Sequence, residues 1–143
     1  QSVDDIIDVS KNFNIVTKAS PDKAIINDLV FASIISKHTK SNCIILVQDY
    51  KLIGSGMGQV SRIDALNQAI EKSKKFGFKS KLKSCVMASD AFFPFKDCVE
   101  LAKSNDIKNI IQPGGSIRDN ESIEFCDKHK MTMVFTGTRH FRH

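Results

Sequence analysis

The stretch SCVMASDAFFPFKDCVELAKSNDIKNIIQPGGSIRDNESIEFCDKHKMTMVFT, from Ser84 to Thr136, decides the fold. Its apolar runs SCVMAS, KNIIQ and MTMVFT are short and bounded by polar residues, as buried strands are. Between them, PFKDCVELAKSN and DNESIEFCDKHK carry helical patterns. A β-α-β-α-β order of this kind implies parallel strands with right-handed crossovers, because a right-twisted strand feeding a right-handed helix packs back onto its sheet only that way. The expected class is α/β.

Upstream, SRIDALNQAIEKSKKF, beginning at Ser61, places Ile63, Leu66, Ala69 and Ile70 on one helical face, and Gly77 follows where a C-terminal cap would sit. Before it, CIILVQ (Cys43 to Gln48) and LIGSG are linked through Asp49-Tyr50-Lys51, which reads most simply as two strands and a tight turn. Ser20 as N-cap and Pro21 at the first helical position precede Ile25, Ile26, Leu29, Val30 and Ile34 at helical spacing, predicting a helix to about His38. KNFNIVTK, further upstream, reads as a strand that would complete something lying before it. Residues 1–19 are therefore expected to belong to, or bridge from, an upstream unit.

A chain of 143 residues suits one domain, able to bury roughly 70% of the surface its unfolded form exposes. With 41% hydrophobic and 26% charged residues it has a globular composition, and no apolar run approaches the roughly 20 residues that span a bilayer. The acidic opening QSVDDIIDVSKNF lacks the basic and apolar regions of a secretory signal, and the absence of an initiator Met suggests a fragment or processed product. Cys43, Cys85, Cys98 and Cys126 stand singly in apolar surroundings, without a C-x-x-C pair or a His at metal-ligand spacing. Buried thiols in a reducing cytosol are expected. Much of the net charge of +5 lies in KSKKFGFKSKLK, from Lys72 to Lys83. Its lysines do not alternate with stacking aromatics, so a solvated helix end is expected rather than a nucleic-acid surface. An anionic small substrate suits the charge.

Four polar stretches adjoin the predicted strands, where open α/β sheets place ligands. Thr39-Lys40-Ser41-Asn42 is either a helix-terminal turn or a strip in which the Asn42 amide meets a carboxamide or heterocycle edge. GSGMGQVSRI, from Gly54 to Ile63, offers backbone N–H groups and Arg62 to an anion at a helix start, or is simply a Gly-rich turn. In ASDAFFPFKD, from Ala88 to Asp97, three phenylalanines stand beside Asp90 and Asp97; Phe92 and Phe93 point to different sides, so one can face a planar ligand while the other packs inward. QPGGSIRD, from Gln112, forms a possible donor nest at Gly114-Gly115-Ser116, and the ending TGTRHFRH adds Arg139, His140, Arg142 and His143. No H-x-E with P-C-x-x-C and no nucleophile elbow is present, and the only candidate general bases are the terminal histidines.

KSN, GSGMGQVSRIDA, MASDAFFPFKD, IQPGGSIRD and VFTGTRHFRH, in this order, resemble the C-terminal portion of the AICAR transformylase/IMP cyclohydrolase family from about Asn14 to the last residue. The resemblance implies a three-layer α/β/α unit with a mixed, mostly parallel sheet, cytidine-deaminase-like but without zinc, and no metal-ligating residue is assigned in this chain. It further implies a cytoplasmic, intertwined homodimer that transfers the formyl group of 10-formyltetrahydrofolate to AICAR; the charge pattern and run lengths above add the expectation of no nucleic-acid or membrane partner. Carried over by position, Asn42, Arg62, Phe92 and Arg139 would contact the AICAR nucleotide. Ile63, Asp97, Ser116 and Ile117 would contact the folate. The family's catalytic Lys-His pair sits in a K-H-x-N-P-C-G motif that this chain lacks. Lys37-His38 shares only its first two letters, so no catalytic residue is assigned here. The rival reading is a stand-alone nucleotide- or folate-binding module without catalysis.

Overall fold

The computed structural model describes residues 13–137. The elements run β1 (Asn14–Ile15), α1 (Lys23–Lys37), β2 (Ile44–Gln48), β3 (Lys51–Gly56), α2 (Arg62–Lys75), a 3-10 turn (Lys79–Ser84), β4 (Val86–Ser89), α3 (Asp97–Ser104), β5 (Asn109–Gln112), α4 (Asp119–Lys128) and β6 (Thr132–Phe135). One six-stranded sheet has the order β1-β6-β5-β4-β2-β3. The β4–β5 and β5–β6 ladders are parallel, as the alternation of runs and helices predicts. The other three, β1–β6, β2–β3 and β2–β4, are antiparallel. The sheet is thus mixed and partly parallel rather than mostly parallel. One of the antiparallel ladders follows from the hairpin, since a two-residue turn must return the chain antiparallel; β2 also lies against β4, and β1 against β6, in opposite directions.

Strand alternation distributes the core over both faces. Ile44, Leu46, Met87, Ile110 and Met133 join Leu66, Ala69, Val99, Ala102 and Cys126 on the side covered by α2, α3 and α4. Ile45, Val47, Val86, Ala88, Ile111 and Val134 meet Leu29 and Ala32 of α1 on the other. The Asn14 and Ile15 backbones pair with Phe135 and Val134, which places β1 at the edge of this sheet.

Local chemistry sets the element boundaries. The N-cap of α1 is Asp22 rather than Ser20, because its carboxylate accepts the Ile25 N–H at 2.9 Å and satisfies one of the unpaired first-turn donors. Ser61 caps α2 in the same way through Asp64 N, at 3.1 Å. Gly77 takes φ +85 just past that helix, the left-handed conformation a Gly tolerates best. The hairpin turn holds Asp49 and Tyr50 at φ 51 and 60, as a two-residue turn of the twist-compatible kind requires. Asp49 tolerates that region but Tyr50 does not favour it, and the buried Asp28 of α1 compensates by accepting both turn N–H groups at 3.0 Å.

Candidate functional site

β3, β4, β5 and β6 all run in one direction and β2 in the other. Consequently the segment before β2 and the loops after β3, β4 and β5 collect at one end of the sheet. The described parts of all four polar stretches of the sequence lie there, while residues 138–143 lie outside the described residues.

At the centre of this end is a partly buried cluster. Arg62, the first residue of α2, directs Nη1 to the side-chain oxygen of Asn42, while its Nε lies 3.6 Å from Asp90 Oδ1. Asp90 is fully buried, and the same oxygen accepts the Cys43 N–H at 3.2 Å. Asn42 is anchored in turn: its Nδ2 donates to the Gln59 carbonyl at 2.8 Å, and the two backbones exchange hydrogen bonds at 3.3 Å. Gln59 reaches Gln68 Oε1 at 3.2 Å, which ties the loop to α2. Three chain segments are thereby fixed around one guanidinium. The Cys43 thiol beside them is pushed up from 9.0 to about 12, first by burial and then by the Asp90 carboxylate.

The glycines of GSGMG serve a different purpose from the anion cradle considered above. Gly54 and Gly56 lie in β3, where a Cβ would run into the carbonyl oxygens of Ala69 and Ala65. Their role is to let α2 press against the strand, which brings Arg62 close to Asp90. Gly58 alone belongs to the loop, at φ +63.

On the neighbouring loops, Phe93 packs inward at 1% exposure and its N–H donates to Gln112 Oε1 at 3.1 Å. Phe92, half-buried, is directed towards Gly115. The two adjacent rings therefore face different surroundings, as expected. Phe95 is exposed, with the Arg118 guanidinium 5.3 Å above its ring. The Gly115 and Ser116 N–H groups, read as a donor nest, already hold an anion: Asp119 accepts both, at 2.8 and 3.2 Å. This carboxylate, at the start of α4, was not singled out from sequence, although an Asp three or four residues beyond a Gly-Gly turn is a recognisable signal.

Of the expected nucleotide contacts, Asn42 and Arg62 come together, Phe92 lies two residues beyond their partner Asp90, and Arg139 lies outside the described residues. Of the expected folate contacts, Ile63 follows Arg62 and packs partly on the core, Asp97 opens α3 on the surface, Ser116 is half-buried and Ile117 is exposed at 99%. Met57, Val60, Phe95 and Ile117 make an exposed apolar rim on the loops at this end. Two surface hollows of about 500 and 530 Å³ lie elsewhere, one lined by Gly77, Lys79, Ser80, Lys83 and Asp106, the other between α3 and α4. All four cysteines are free and buried. No group of three His, Cys, Asp or Glu residues among the described residues could hold a metal ion, and no described helix is long and apolar enough to cross a membrane.

Comparison with known proteins agrees with the motif content. The sequence model of the AICARFT/IMPCHase bienzyme family matches residues 1–72. The chain is similar to the bifunctional purine biosynthesis protein PurH of Bacteroides thetaiotaomicron, 50% identical over 143 residues, covering 100% of this chain and 28% of that protein. Against PurH of Aquifex aeolicus it is 47% identical over 133 residues, 93% of this chain and 26% of the relative. Against PurH of Lactobacillus acidophilus it is 46% identical over 143 residues, 100% of this chain and 27% of the relative. The chain therefore spans roughly a quarter of the length of these relatives.

Proposed function

The chain belongs to the AICARFT/IMPCHase bienzyme family, and from that membership we propose that it supplies the substrate-aligning part of a formyl-transfer site acting in purine biosynthesis. The reaction moves the formyl group of 10-formyltetrahydrofolate to the amine of AICAR, and the complete protein also carries IMP cyclohydrolase activity. The observation that carries this reading is the side-chain union of Asn42 and Arg62 beside buried Asp90, at the strand ends where the Phe92 and Gly115-Ser116 loops also lie. These groups suit a flat, anionic, carboxamide-bearing ligand: a guanidinium for negative or carbonyl oxygen, an amide for a carboxamide edge, and a ring for stacking.

Attack of an amine on a formyl carbon needs a base for the amine, a donor for the developing oxyanion and tight alignment of two large substrates. This chain contributes the alignment. Asn42, Arg62, Phe92 and Arg139 hold the nucleotide, while Ile63, Asp97, Ser116 and Ile117 receive the folate. The base and oxyanion donor come from residues outside the chain. Lys37, the last residue of α1, and His38, its C-cap, do not belong to the family's catalytic motif. Residues 14–18 are bonded to β6 and α4 of this unit, and the unit itself is of the cytidine-deaminase-like, zinc-free kind. The working assembly is a cytoplasmic homodimer, and the exposed rim of Met57, Val60, Phe95 and Ile117 suits burial by substrate or by another protein surface.

Calorimetry with AICAR and a folate analogue, paired with a formyl-transfer assay, tests the proposal. A split site predicts weak or no binding by the isolated chain and no turnover. Tight binding by the chain alone would make it a self-sufficient binding module, and robust turnover would contradict the division of labour.

A further inference from the structure

Asp90 is an expensive residue for the bonds it makes. Its carboxylate is fully buried, yet only Oδ1 is used, by the Cys43 N–H at 3.2 Å; Oδ2 has no hydrogen-bond partner among the described residues. A neutral acceptor would satisfy that single N–H without the desolvation of a charge. The negative charge is accounted for by Arg62, whose side chain is itself 13% exposed and whose Nε sits 3.6 Å from Oδ1, likewise without a hydrogen-bond partner among the described residues. Arg62 is thus gripped from two directions: Nη1 by Asn42, from the segment before β2, and the Nε side by Asp90, from the loop after β4. These two contacts fix both the plane and the rotation of the guanidinium and leave Nη2 as the edge that no described residue holds.

We propose that Asp90 is the positioning residue for Arg62: it sets the orientation of the guanidinium, through charge and not through contact with the ligand, so that the Nη2 edge is presented to the nucleotide. The inference rests on the reading of Arg62 as a nucleotide contact. A guanidinium held in place before the ligand arrives loses less side-chain freedom on binding, which appears as affinity for one substrate rather than as rate. Asp90 therefore acts on nucleotide recognition and leaves formyl-donor recognition largely alone.

The test is kinetic and uses the native protein that carries these residues. Asp90→Asn keeps an oxygen for the Cys43 N–H and removes the charge. The expected result is a rise of about tenfold in KM for AICAR, a fall in kcat smaller than that rise, and a shift of less than about twofold in KM for 10-formyltetrahydrofolate. In an Arg62→Lys background the same change adds little, because the group being positioned is already altered, and Asp90→Glu restores part of the loss. Equal effects on both substrates, full additivity of Asp90→Asn with Arg62→Lys, or an unaffected nucleotide KM would each overturn the proposal. Should Asp90→Asn not fold, the pair Asp90→Glu and Arg62→Lys decides through the same coupling. A native protein that transfers no formyl group to AICAR sinks the functional reading and this inference with it, whereas a working enzyme with uncoupled Asp90 and Arg62 sinks only the inference.

Discussion

Gly56 shows how far a single residue can mislead and then explain. In the sequence, GSGMG overlaps the predicted strand LIGSG and offers either backbone N–H groups to an anion or a plain Gly-rich turn. In the fold, a Cβ at Gly56 would meet the backbone of Ala65 at its carbonyl, carbon and Cα. A helix backbone cannot give way as a flexible side chain can, so Gly56→Ala is expected to cost about 1–3 kcal/mol, read as a lower urea midpoint with an unchanged slope. Because α2 carries Arg62, the same variant should also weaken nucleotide binding. The true partner of the glycine is far from it along the chain, and nothing in the local pattern names it. Asn42 and Arg62 could be read only as polar side chains beside turns, each with a plain structural alternative, and their meeting in the fold is a contact across 20 residues of chain. Asp90 was visible as a carboxylate beside phenylalanines, but its burial and its hold on Arg62 depend on a contact across the fold.

Among elements, the parallel part of the sheet was the most readable. SCVMAS, KNIIQ and MTMVFT correspond to β4, β5 and β6, and their intervening helices to α3 and α4. The helix α3 starts only at Asp97, since Pro94, Phe95 and Lys96 stay in the loop that carries the aromatic residues. The hairpin was legible as two runs and a turn, but not as the insertion that makes the sheet mixed. What stabilises that turn is also tertiary: Asp28, on α1, holds the N–H groups of Asp49 and Tyr50. Removing a charged acceptor from two backbone donors predicts that Asp28→Ala costs about 2–3 kcal/mol. Hydrogen exchange should show the Asp49 and Tyr50 amides losing protection before those of β4. Unchanged exchange at the turn would mean that the clasp contributes nothing.

For the molecule as a whole, the four thiols set a limit on alkaline stability. Burial is the leading cause that raises Cys43, Cys85, Cys98 and Cys126 from 9.0 to about 12. The unfolded chain therefore releases thiol protons first as pH rises. The contribution is intact below about 9 and is lost progressively towards 12, since stability falls with pH wherever the unfolded state binds fewer protons. Denaturant midpoints should decline across that window, and replacing a cysteine by a similarly sized apolar residue should flatten the decline. Slow alkylation of the folded chain at neutral pH is the matching chemical expectation.

Recognition of the AICAR nucleotide by the strand-end cluster around Arg62 remains the proposal from which the other roles follow. It is tested most directly by formyl transfer in the native protein that carries these residues, comparing Arg62→Ala with the unaltered protein under a melting control that shows both to be folded. The expected result is a loss of about a hundredfold in kcat/KM for AICAR, the size of a charge-assisted contact removed from a partly buried site. An Arg62→Ala protein that transfers formyl to AICAR as efficiently as the unaltered one would contradict it.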